Sequence, residues 1–339
     1  MNSCGLSPES AKSISKKLRL KSPKEPDSSL SFLRDLGLTD TQISKVVRRR
    51  PRLLLSDLKK IVLPKLAFLR SIMVSCNDLP EVISRNPDLL VRSLDQHLIP
   101  SYNILKSLLL SDEKVVKTLK RLSPIDLCSV QNNFARNLLV LRGLGMPQSA
   151  ICHLVTSNPK VVCKNVDNFS GNVKEIIGMG FNPVKSAFAF ALKVKLQTSP
   201  ITWKVKIDGF RRWGLSEDEI LLALRKYPSF MSLSEKTIMK KMDFLVNKMG
   251  WQPAVVARNP VVFTYSLEKR IVPRCSVIKV LLLKGLIKET ISLLSILTTS
   301  DKSFLELFVI KHKERVPQLS DVFEMKMGLV DLGFAFNEK

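Results

Sequence analysis

The sequence contains no C-x-x-C pair, no G-x-x-x-x-G-K-[ST] loop and no H-E-x-x-H, and its three histidines, His97, His153 and His312, are isolated from one another. Those absences remove the local signatures of zinc sites, phosphate-cradling loops and metalloproteases. Six cysteines, Cys4, Cys76, Cys128, Cys152, Cys163 and Cys275, lie scattered without metal-ligand spacing and read as reduced core thiols. No apolar run reaches the roughly 18 residues that span a bilayer. The most apolar stretch, Val277 to Ile287, is broken by Lys279 and Lys284. Sustained β alternation is missing too, so no sheet is expected. The chain is accordingly expected not to be an enzyme, to need no cofactor or metal, and to have no membrane partner.

Acid is scarce beside base. Against 54 Lys and Arg stand 30 Asp and Glu, a formal charge of +24 on 339 residues. Such an excess repels itself unless a polyanion neutralises it, and nucleic acid and anionic membrane are the two usual partners. The 45% hydrophobic content is enough for a packed core and too high for a disordered chain. Residues 1–24 are rich in Ser and Lys with Glu9 the only acid, a bias shared with transit peptides, yet Cys4-Gly5-Leu6-Ser7-Pro8 already reads as part of a repeat.

Glycines and prolines punctuate the chain with a period. An apolar-x-x-apolar-Gly-apolar signature occurs at Leu33/Leu36-Gly37-Leu38, Leu141/Leu144-Gly145-Met146, Ile176/Met179-Gly180-Phe181, Phe210/Trp213-Gly214-Leu215 and Val246/Met249-Gly250-Trp251. Downstream of the glycines, Pro-x-apolar-apolar recurs at Pro51, Pro87, Pro159, Pro228 and Pro260, with Pro124-Ile125-Asp126-Leu127 a degraded copy. The first four prolines in chain order are separated by 36, 37 and 35 residues. A period near 35 marks stacked supersecondary repeats, none able to bury its apolar face alone.

Glycine after an apolar-periodic run ends a helix in the left-handed conformation, and the polar residues behind it begin another. Thr39-Asp40-Thr41-Gln42 and Ser216-Glu217-Asp218-Glu219 read as capping boxes, and Pro147, Pro183 and Pro253 suit first helical turns. The second helix carries Ile43, Val46 and Val47 on one face until the proline stops it. The longer first helix of one repeat has an apolar stripe of Ile238, Met242, Leu245 and Met249, with Lys236, Lys240, Lys241 and Lys248 assigned to the opposite side.

This punctuation, together with Met249-Gly250-Trp251 through Arg258-Asn259-Pro260 and Ser266-Leu267-Glu268-Lys269-Arg270-Ile271-Val272-Pro273-Arg274, resembles the mitochondrial transcription termination factor family (mTERF) in its plant branch. The resemblance implies an all-α, curved α-solenoid of helix-helix-short 3₁₀ repeats with a basic concave path. It also implies a double-stranded DNA or organellar RNA partner, and a role in transcription termination, transcript maturation or intron splicing. The address expected is the mitochondrion, with the chloroplast as the alternative, and the chain is expected to be monomeric. Residues 1–30 would hold a first repeat or a truncated leader, 31–300 the repeat array and 301–339 a C-terminal cap. Residues 181–200 depart from the pattern, because no proline follows Gly180 by 14 positions.

Candidate binding residues follow from register. Arg49, Arg85, Lys226 and Arg258 stand two positions before the repeat proline, with Leu122 and Ser157 breaking the series. Stacked in register, they would form a basic stripe suited to a phosphate backbone, although cations in a last helical turn also complement the helix dipole without any ligand. Three denser groups join them: Arg48, Arg49, Arg50 and Arg52; Lys204, Lys206, Arg211 and Arg212; and Lys269, Arg270 and Arg274. Trp213 occupies a signature apolar position and is assigned to packing. Trp203 is open to either packing or base stacking. The competing reading is a helical scaffold that grips a protein partner, and the charge excess separates the two.

Overall fold

The computed structural model describes residues 6–18, 24–55, 58–73, 78–123, 126, 129–288, 290–328 and 331. Cys4, Cys76, Cys128, Pro124, Ile125 and Leu127 lie outside that set. Among the described residues there is helix of several kinds and no strand. The chain divides into two compact bodies, residues 1–175 with 183–189, and residues 176–182 with 190–339.

The repeat predicted from punctuation is present in both bodies. In the first, Lys24–Asp35 and Asp40–Arg49 are followed by the 3₁₀ turn Pro51–Leu55, and Leu58–Ile72 and Asp78–Arg85 by the single turn Asp88–Val91. In the second, Pro200–Arg212 and Glu217–Lys226 precede the 3₁₀ turn Pro228–Ser232, and Glu235–Asp243 with Phe244–Lys248 and Pro253–Ala257 precede Pro260–Thr264. Three of these short turns are 3₁₀, while Asp88–Val91 and Pro159–Val162 close as α turns. Several first helices begin with a widened π turn; Leu94–Leu98 and Leu267–Ile271 lead into helices with prolines in their first turns, Pro100 and Pro273, where a missing N–H is tolerated.

All five signature glycines are left-handed, with φ between 71° and 85°. At Gly214 the exit is a Schellman turn: Gly214 N–H donates to the Arg211 carbonyl at 2.9 Å and Leu215 N–H to the Phe210 carbonyl at 3.4 Å. Three such exits escape the sequence signature, Met325 with φ 59° after the helix Leu319–Phe323 among them. Gly285 has φ 64° behind Lys284, which breaks the apolar pattern, and Leu110 adopts φ 57° with no glycine at all. Both capping boxes form, at Thr39/Gln42 and Ser216/Glu219.

The second-helix face Ile43, Val46 and Val47 is fully buried, as are Ile238, Met242 and Leu245. Phe210 of the long helix Pro200–Arg212 and Phe230 and Phe263 of two successive 3₁₀ turns in the C-terminal body meet with ring centroids 5.4–5.9 Å apart. Residues 181–200 depart from the repeat as their sequence does. Pro183 sits in a turn ahead of the helix Ser186–Gln197, so it does not open that helix. Pro200 then starts the next long helix under a Ser199 cap, with no short turn between them.

Candidate nucleic-acid interface

Within each body, basic residues two positions before the prolines act as stitches between repeats. Arg49 donates through Nη1 to the Arg85 carbonyl, Arg85 to the Lys120 carbonyl at 3.2 Å, and Lys226 through Nζ to the Arg258 carbonyl at 2.6 Å. Where Leu122 breaks the series, Arg121 takes over and donates to the Thr156 carbonyl at 2.5 Å. Each acceptor lies at the end of the next repeat's second helix, where carbonyls have no partner in their own helix. The dipole argument from sequence thus has a structural form, but the cation serves its neighbour's helix end and not its own. All four stripe residues keep exposed side chains, and Arg258 has no side-chain hydrogen bond or ion pair.

The Arg48, Arg49, Arg50 and Arg52 group divides by role. Arg48 is exposed, Arg50 pairs with the buried carboxylate of Asp88 in the next repeat, and Arg52 is exposed and partnered. The middle group is largely neutralised. Lys204 pairs with Asp208 at 2.7 Å, Arg211 with Asp208 and Glu217 at 2.5 Å each, and Arg212 with Glu235 at 2.9 Å. The hydrogen bond from Lys204, joined by that from Arg211, holds the Asp208 carboxyl below its usual range, and Arg211 does the same for Glu217. In the third group Lys269 is exposed. Arg270 lies 4.7 Å over the Tyr265 ring, donates to the Leu297 and Thr299 carbonyls at 2.8 and 2.6 Å, and pairs with Asp301 at 3.3 Å.

Lys206 and Arg274 require a correction. Lys206 is 4% exposed and Arg274 1%, so neither lies on a surface. Lys206 Nζ donates to the Met231 carbonyl at 2.6 Å, and Arg274 Nη1 to the carbonyls of Ile296 and Thr299 at 2.8 and 2.7 Å. Lys241, placed by sequence on the polar side of its helix, is also buried and donates to the Phe263 carbonyl at 2.7 Å. Burial lowers the pKa of Lys206 and Lys241.

These residues belong to a set that sequence reasoning missed. Ser29 donates to the Leu54 carbonyl at 3.3 Å, Lys65 to that of Leu90 at 2.8 Å, and Asn137 to that of Val162 at 2.8 Å. In the five repeats whose proline-started turn is described, one buried polar side chain of the first helix thus reaches the carbonyl three residues past that proline. It fastens the short turn to the long helix from inside. A signal was present: Ser29, Lys65, Asn137 and Lys206 each stand 22 residues before their repeat proline, and Lys241 stands 19 before. Basic side chains in a first helix were read as surface because charge usually is. The exception is a long aliphatic stem that buries while its ammonium finds a carbonyl.

Trp203, left open by sequence, is 8% exposed with the Lys195 ammonium 4.6 Å from its ring centre, so it packs and offers no face to a base. Burial pushes the thiols of Cys163 and Cys275 well above the usual range, which keeps them unreactive. Among the described residues no three His, Cys, Asp or Glu side chains converge as a metal site, and no helix is long and apolar enough to cross a membrane.

Long helix, glycine exit, second helix and proline-started turn, with several repeats pinned inside and stitched to a successor in the same body, define a helical repeat protein with exposed cations at helix ends. The mTERF family model matches residues 30–193 and again 187–305, and the chain belongs to that family. Among characterised Arabidopsis thaliana proteins, it is 32% identical over 111 residues to the mitochondrial transcription termination factor MTERF15, a match covering 33% of this chain and 25% of that protein. It is 24% identical over 192 residues to the chloroplastic transcription termination factor MTERF8, covering 57% and 37%. Against the mitochondrial transcription termination factor MTEF18 it is 30% identical over 92 residues, covering 27% and 16%. The matched segments therefore span well under half of each relative's length.

Proposed function

We propose that this chain binds an organellar polynucleotide through its phosphate backbone and thereby acts in organellar gene expression, in transcription termination, transcript maturation or intron splicing. The observation that carries the reading is the charge of +24 on a helical-repeat fold, after the ion pairs of the middle group are discounted. A groove for a protein partner needs no such excess, whereas a polyanion releases counterions for each cation that docks. Arg48, Arg258 and Lys269 are exposed and, among the described residues, make no side-chain hydrogen bond or ion pair, Arg52 is exposed and partnered, and Arg49, Arg85 and Lys226 retain further donors for a phosphate. The relatives' names support the reading, and they support an organellar address with the mitochondrion first and the chloroplast second. The test is fluorescence anisotropy of the full chain with labelled duplex DNA and with single-stranded RNA across a salt series. Affinity that falls steeply and linearly in log salt for either ligand is expected, and salt-independent or undetectable binding to both overturns the proposal. Import of a tagged chain into isolated mitochondria and chloroplasts decides the address.

A further inference from the structure

Three lysines in the C-terminal body occupy positions that helix electrostatics disfavours. The first helices of its last three repeats begin under Ser234, Ser266 and Ser300, whose hydroxyls each accept from a backbone N–H inside the first turn at 3.1 Å. Their first deeply buried apolar residues are Ile238, Ile271 and Phe304, all 0% exposed, which fixes the register from repeat to repeat. Two positions before each stands a lysine: Lys236, Lys269 and Lys302, spaced 33 and 33 residues. All three are exposed and none has a side-chain hydrogen bond or ion pair.

A cation in a first turn meets the positive end of the helix dipole, where acids are favoured instead. The acids are there, one residue earlier, and are already engaged. Glu235 is paired with Arg212, and Asp301 with Arg270 and Arg274, while Glu268 accepts from Ser266 Oγ at 3.4 Å. Glu235 and Asp301 are committed to holding repeats together and Glu268 to its own helix cap, so none of the three pairs with the lysine beside it. Arg270 of one repeat reaches Asp301 of the next at 3.3 Å, which brings the starts of those two helices together along with their neighbours Lys269 and Lys302. The equivalent positions in earlier repeats hold Lys60 before Val62, which is already partnered, then Gln96 before Leu98, Asn132 before Phe134, Asp167 before Phe169 and Ile201 before Trp203, so three consecutive lysines occur, among these repeats, in the last three.

We infer that Lys236, Lys269 and Lys302 form a phosphate-binding row on the C-terminal body, one phosphodiester contact per repeat, with the stripe before the prolines serving mainly to stitch repeats. The inference rests on the nucleic-acid reading above. Three helix N-termini and three free ammonium groups add at this edge, and a polyanion relieves the repulsion that the fold leaves there. Because backbone contacts carry no sequence information, the row supplies affinity and orientation and leaves base choice to other residues.

The experiment compares the full-length wild type with the triple variant Lys236→Gln, Lys269→Gln, Lys302→Gln, by salt-dependent anisotropy with duplex DNA and with single-stranded RNA. On the ligand that binds, the slope of log affinity against log salt should become shallower by about 2.7 for a duplex or about 2 for a single strand, the values for three lost contacts. The melting temperature of the variant should equal or exceed that of the wild type, since the lysines oppose their own helix dipoles. An unchanged slope with the wild type binding normally overturns the row alone. A lowered melting temperature with an unchanged slope assigns the lysines to the fold and overturns it as well. Wild type that binds neither ligand overturns the nucleic-acid reading and the row together.

Discussion

At the residue scale, the sharpest local anomaly is Leu110, a left-handed residue with φ 57° whose side chain is 78% exposed. It ends the helix Ile99–Leu109 where other repeats use glycine, and Ser111 then caps the next helix. A side chain in this conformation costs on the order of 1–2 kcal/mol, and its exposure means that little packing offsets the cost. Leu110→Gly should therefore stabilise the protein by about 1 kcal/mol after the extra backbone entropy of glycine is counted, and raise the melting temperature. A thermal melt monitored by circular dichroism checks this; no rise would show that the Leu110 side chain contributes packing that its exposure conceals. Lys206 is the opposite case, charged yet internal. Lys206→Ala removes a hydrogen bond from a charged donor to the Met231 carbonyl and strands that acceptor, so a loss of about 2 kcal/mol or more is expected. Salt-dependent affinity for nucleic acid should stay as in the wild type, since a residue 4% exposed reaches no phosphate. A changed salt slope would return Lys206 to the surface.

At the scale of elements, the punctuation was legible because it rests on backbone chemistry. Glycine at a positive φ and proline at a helix start are positional demands, and Gly37, Gly145, Gly180, Gly214 and Gly250 meet the first in every case. What the basic residues do was less legible, because sequence shows a side chain and not the carbonyl that waits for it one repeat away. Arg49, Arg85, Lys226 and Arg258 stand at one register position in the sequence; the acceptor that Arg49, Arg85 and Lys226 share, the end of the next second helix, involves backbone that every residue has. The buried rungs were hidden for the same reason, although their 22-residue spacing from the proline was open to view. Replacing Arg49, Arg85 and Lys226 together by Gln should lower the melting temperature, because each stitch is worth about 1 kcal/mol at an exposed helix end and each kcal/mol shifts the melt by about 2–4 °C in a chain of this size. Differential scanning calorimetry reads the shift. A melt identical to the wild type would mean that these bonds hold nothing the repeats do not already hold by packing.

At the scale of the whole molecule, each body is held by two kinds of bond with different reach. The rungs from Ser29, Lys65, Asn137, Lys206 and Lys241 close inside one repeat, and the stitches from Arg49, Arg85, Arg121 and Lys226 join a repeat to its successor. Because a rung fails only when its own repeat opens and a stitch fails when either neighbour does, mechanical load has natural breakpoints. Drawn out by its ends in an optical trap, the protein should lengthen in discrete events, each freeing one repeat of about 35 residues and adding roughly 12 nm of contour length. The stretch at 181–200, which has neither repeat proline nor short turn to be fastened, should yield at a lower force than the repeats on either side. A single all-or-none rupture would show instead that tension is shared across every repeat at once. For a protein clasped to a polymer that other machines pull through, stepwise give of this kind would let it surrender one repeat under load and close again without losing the rest.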